Sequence, residues 1–232
     1  MKTGSRSGVH WWNVYADTAR WEREGAAAVT LLRWMTEHLP RPHPELGRPG
    51  PVCPFVRQSM DRQLVWAGSA AGGDALTARQ MLDIVDDAFQ AYRGLISENS
   101  SEAHRLTLIT VFPALTRYEL IDAAHQDRKS EAVRDGLMLG QFYPGCAVPG
   151  LWNRDFHPLD APVPMLVLRP MMSTDFPFLV ARKDWLYAYL TRTAPDLPRK
   201  LRWAIAERMQ VDGPEAGRIT ELRIHSADEH AR

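Results

Sequence analysis

Leu106-Thr107-Leu108-Ile109-Thr110-Val111-Phe112, stopped by Pro113, is the segment on which the fold turns. It is apolar or β-branched throughout, which predicts a buried strand. Pro113 cannot donate to a strand ladder and ends it. Before it, Met81, Leu82, Val85, Ala88, Phe89, Tyr92 and Leu95 form one helical stripe over 76–96, with Thr77 as cap. After it, Thr116 and Glu119 fit a capping box for a helix over 117–132. Further strands are predicted at 63–67, 137–142 and 165–169, and further helices at 17–39, 176–190 and 198–209. Strands and helices interleave, but the connections are unequal and one strand pair has no helix between its members. That favours an α+β fold, with a mixed or antiparallel sheet flanked by helices, over a doubly wound parallel sheet. The expectation is a flexible N-terminus over 1–15, a single α+β domain over 16–212 and a polar tail over 213–232.

Composition narrows the function classes. Apolar residues make up 45% and charged residues 24% of the 232, which fits a globular chain and excludes disorder or a rod. Twenty-eight basic residues balance twenty-eight acidic ones, so no general nucleic-acid footprint is expected. No apolar run is long enough for a membrane span. The polar start lacks a secretory h-region, and two cysteines make no disulfide framework, so a cytoplasmic location is expected. The usual dinucleotide, P-loop, zincin and nucleophile-elbow motifs are absent.

Two aperiodic loops remain as candidate sites. The first, 40–55, is proline-rich and holds His43, Arg48, Cys53 and Phe55. The second, 143–164, holds Tyr143, Cys146, Trp152, Arg154, Asp155 and His157, and leads into a strand ending in Arg169. Rigid, proline-framed loops that mix aromatic and polar groups suit a ligand pocket. The two loops are therefore expected to meet in space and to line the largest cavity. A guanidinium at the end of an apolar strand needs a partner, and for Arg169 that is Asp175 or an anionic ligand group. His157 and Asp155 are candidates for acid/base work without a cofactor.

These loops also carry a resemblance. HPELGRPGPVCPF, FYPG, GLWNRDF, PLDAPVPMLVLRPM and DFPFL resemble an uncharacterised actinobacterial domain family found near natural-product genes, over roughly residues 20 to 195. More remotely, the layout is similar to that of YqcI/YcgG-type proteins. It shares their Pro/Cys/Phe segment, short strand, helix, strand ending in Phe-Pro, loop rich in Arg and aromatics, and strand ending in Arg. Some proteins of that type are haem-dependent oxygenases acting on amino-acid nitrogen atoms.

That likeness implies an oxidoreductase with haem b, oxygenating an amine- or guanidine-bearing small molecule, an amino acid among them. It implies iron ligation by His157 or His43, with Arg169, Arg48, Cys53, Phe55 and Trp152 around the cofactor. Asp155, Arg154 and Tyr143 would then serve catalysis. The competing reading is a cofactor-free small-molecule-binding or partner protein of a biosynthetic cluster; on either reading a homodimer is the assembly to test for.

Overall fold

The computed structural model describes residues 1–209 together with Val211 and Glu215. Six strands form one sheet: β1 (Lys2–Thr3), β2 (His10–Asn13), β3 (Val65–Ser69), β4 (Thr107–Val111), β5 (Leu137–Phe142) and β6 (Met165–Pro170). The spatial order is β1-β2-β3-β4-β6-β5, with β3 and β4 parallel and every other pair antiparallel. The mixed sheet flanked by helices is the expected α+β architecture.

One face of the sheet packs on α4 (Ala78–Glu98) and α5 (Glu119–Arg134) through Leu108, Leu139, Leu166 and Leu168. The opposite face buries Val65, Ala67, Ile109, Val111 and Met165 against α1 (Thr18–Glu22) and α2 (Ala26–Arg33). This alternation along β4 and β6 is the period-two pattern of strands covered on both sides. A third cluster joins α6 (Lys183–Thr193) and α7 (Arg199–Arg208) to Met138 and Met171.

Five sequence expectations are corrected. The N-terminus is not a free segment: β1 and β2 form an edge hairpin, and Trp11 is fully buried with Nε1 donating to Thr110 Oγ1 at 3.0 Å. Asp87 of α4 clasps the turn, accepting from the backbone N–H groups of Arg6 and Ser7 and from the Ser7 hydroxyl. A Cβ on Gly4 would stand 2.5 Å from the Asp87 carboxylate, so the turn requires a glycine there.

The helix expected over 17–39 breaks at Gly25 (φ 99°) into α1 and α2, and ends in a π-helical turn over Trp34–His38. The capping box at Thr116 does not form; its amide and hydroxyl donate to Asp74 instead, each at 2.6 Å, and α5 starts after Tyr118. The helix expected from 176 begins as a short 3-10 turn over Ser173–Phe178 with Pro177 inside it. Strand β3 starts two residues late because Gln63 has positive φ (56°). Thr77 does cap α4, in a reciprocal box with Gln80. Apart from Glu215, the tail over 213–232 lies outside the described residues.

Strand β5 lies at the sheet edge, and its Leu139 carbonyl is covered by α5: His125 Nε2 and Lys129 Nζ both reach it at 3.0 Å. Burial and the nearby Lys129 charge pull the His125 pKa down to about 4, although the Leu139 bond opposes the shift. A histidine whose folded pKa lies below its unfolded value contributes stability that is present above about pH 6.5 and lost as pH falls toward 4. His125→Gln is expected to flatten that limb of the stability curve, measured by urea unfolding between pH 7 and 4. An unchanged pH slope would contradict the assignment.

Candidate functional site

The two loops meet. Asn153 Nδ2 donates to the Glu45 carbonyl at 2.8 Å, and the His43 ring lies 4.9 Å from that of Phe156. Gly47 (φ 77°) sits on Trp152 so closely that a Cβ would be 2.9 Å from the Trp152 carbonyl carbon. The junction is therefore closed by backbone contact. Arg48 is committed within its own loop, donating to the carbonyls of Pro49, Pro51 and Val52, so it holds the loop's shape and not a ligand.

The predicted catalytic trio is not assembled. Arg154, Asp155 and His157 are exposed, and among the described residues their side chains make no hydrogen bond or ion pair. Tyr143 turns away toward α5: its hydroxyl donates to Asp122 Oδ2 at 2.8 Å and its ring stacks on Tyr118 at 4.8 Å. Burial, with the Asp122 carboxylate and Cys146 beside it, raises the Tyr143 pKa, so the phenol keeps its proton.

Haem can be tested against these residues. A ligating imidazole needs an apolar slot beside it and a fixed acceptor for its second nitrogen. His157 is exposed and has no such acceptor. His43 Nδ1 accepts from the Glu45 amide at 3.3 Å, which places the proton of the neutral ring on Nε2, the atom that would bind iron. As placed, His157 and His43 do not fit haem.

Two small voids stand out, and neither lies between the two loops. One void of about 10 Å³ lies between α4 and the sheet, lined by Val85, Leu108 and Leu168. A second, also about 10 Å³, is a notch at the end of the sheet where β4 begins and β6 ends. Ligand pockets usually run to roughly 300 Å³ and upward, so this notch is a contact point and does not enclose a ligand.

Arg169 is the centre of that notch. It stands at the end of β6, with its guanidinium 4.5 Å from the centre of the Phe55 ring. Asp175, 1% exposed, takes both terminal nitrogens, Nη1 at 2.7 Å and Nη2 at 2.6 Å, and Nη1 also donates to the Pro170 carbonyl. Asp175 accepts the Met172 amide as well, which fixes the carboxylate. Burial alone would lower the Arg169 pKa, and the bonds and charge of Asp175 outweigh it and hold the value above the ordinary one.

With the end of the fork used and the face covered, the Nε–Nη2 edge has no partner among the described residues. That edge is the one a carboxylate or phosphate grips side-on. Ser59 and Thr107 pair their hydroxyls at 3.1 Å in the same notch, which leaves one of the two hydroxyl hydrogens uncommitted.

Arg169 and Phe55 were legible in the sequence, and Asp175 was one of the two partners expected for the arginine. Ser59, His104, Arg105 and Thr107 carried no signal, because the topology and not the spacing gathers them.

No curated protein and no solved structure matches the chain. Among the described residues no helix is long and apolar enough to cross a membrane. A family model described as a domain of unknown function, DUF6875, matches residues 28–204, a span that includes both loops and every residue of the notch. The chain therefore belongs to the DUF6875 family.

Proposed function

We propose that the chain is a small-molecule-binding protein that holds its ligand by an anionic group at Arg169, with no cofactor in that contact. One observation carries this reading: a guanidinium locked by Asp175 and Phe55 keeps its side-on edge free at the mouth of a notch. A fork already immobilised loses little entropy when an anion docks, so affinity is gained without new ordering. The amino-acid substrate that the sequence resemblance implies carries such a group, and its carboxylate is one fit. Phe55, which ends the loop over 40–55, then acts as a rigid wall beneath the Arg169 guanidinium.

The test is a calorimetric titration with pairs of ligands that differ only in the anionic group, amino acids against their amides, at fixed ionic strength. Binding of the acids and loss of binding for the amides is expected, with Arg169→Gln binding neither. Equal binding of acids and amides would overturn the proposal. A Soret band in protein produced with a haem precursor would overturn the cofactor-free part and place the iron ligand outside His157 and His43.

A further inference from the structure

We infer that this notch prefers a dianionic phosphoryl group over a carboxylate, an inference that rests on the anion-binding reading above. A carboxylate has two oxygens in one plane and is satisfied by the Nε–Nη2 edge of Arg169 alone. The notch offers more. Arg105 lines it from the turn before β4 and commits only Nη1, to Glu102, which leaves its other N–H groups available. The exposed His104 lines it beside Arg105. The Ser59–Thr107 pair supplies a hydroxyl hydrogen from α3 (Val56–Asp61) and β4.

The carboxylates nearest these cations are already engaged, Asp175 by Arg169 and Glu102 by Arg105. The remaining N–H groups of the two guanidinium groups have no carboxylate partner among the described residues. Arg169, Arg105, Ser59 and Thr107 line this one notch, so they meet one head group at its mouth and not two separate carboxylates. Three terminal oxygens and a double charge match two guanidinium groups and a hydroxyl; a planar monoanion leaves one arginine and the hydroxyl unserved.

The experiment is a titration of the full chain with inorganic phosphate, methyl phosphate and acetate, at constant ionic strength and pH 7.5. Phosphate is expected to bind at least about tenfold more tightly than acetate. Arg105→Gln is expected to cost phosphate about tenfold and to leave acetate nearly unchanged, since one charge-assisted bond is worth about that factor. Arg105 is partly exposed and its ion pair lies within its own turn, so the variant keeps the fold, which a thermal melt verifies. Methyl phosphate binding as well as phosphate supports a phosphate monoester as the ligand, and its exclusion supports free phosphate. Acetate binding as tightly as phosphate would overturn the head-group assignment and leave the anion-binding reading standing. Binding by none of the three would overturn both.

Discussion

Asp175→Asn is expected to destabilise the protein by about 3–5 kcal/mol, the usual cost of leaving one member of a buried ion pair without its partner. Asp175 is 1% exposed and the Arg169 side chain 22%, so water can replace only part of what the carboxylate supplies. An asparagine of the same shape keeps one acceptor, but its amide presents N–H to a guanidinium that can only donate. The paired replacement Arg169→Met with Asp175→Leu is expected to recover most of the loss, because two apolar groups carry no desolvation penalty. Denaturant unfolding of the single and double variants checks this. A single variant within 1 kcal/mol of the wild type would show that the pair does not hold this end of the sheet.

Asp87→Ala carries the second large effect, about 3 kcal/mol, from charge-assisted bonds worth roughly 1.5–3 kcal/mol each and partly shared. Its carboxylate takes the Arg6 amide at 2.9 Å, the Ser7 amide at 2.7 Å and the Ser7 hydroxyl at 2.8 Å, with the Ser5 hydroxyl farther off at 3.4 Å. Burial pushes the Asp87 pKa up, and the Ser7, Arg6 and Ser5 bonds more than reverse that, so it lies below the ordinary value. A depressed aspartate pKa gives stability that is present above the unfolded value near 3.9 and lost as pH falls through the folded one. Asp87→Asn should therefore lose stability at pH 7 and show a shallower acid limb, followed by circular dichroism from pH 7 to 2. Amide exchange in the 2–13 hairpin should rise in the same variant. Hairpin protection equal to wild type would mean that the clasp is not what orders the N-terminus.

The two halves of this picture differed in how far the sequence revealed them. Strands β4, β5 and β6 were readable because their apolar residues are continuous or alternate without interruption. The N-terminal hairpin was hidden: HWWN is four residues long, and the segment that orders it, GSRSG, is polar and looks unstructured until Asp87 is placed beside it. The break at Gly25 was present in the residues, but apolar spacing runs through it at Trp21, Ala28 and Leu32 and disguises two short helices as one.

At the site, composition drew attention to the loops, and their contact through Asn153 and Glu45 agreed with it. Of the two loops only Phe55 lines the notch, because Gly47 packs against Trp152 and the loops close on each other. Arg169 was visible because a charge at the end of MLVLR has to be explained. Ser59, Arg105 and Thr107 were not visible, since α3, the turn before β4 and the β4–β6 register bring them to Arg169 from distant parts of the chain.

The free edge of Arg169 can be observed directly. Its Nε–H gives its own nitrogen–proton correlation in a ¹⁵N-labelled sample, and titration of that signal with phosphate at constant ionic strength reads the proposed contact at the atom that makes it. A saturable shift of the Arg169 Nε–H, with slowed solvent exchange, is expected, while Arg48, whose bonds to its loop carbonyls do not change, stays in place. An Arg169 signal that does not move while binding is measured elsewhere, or that moves no more than that of Arg48, would contradict the proposed contact.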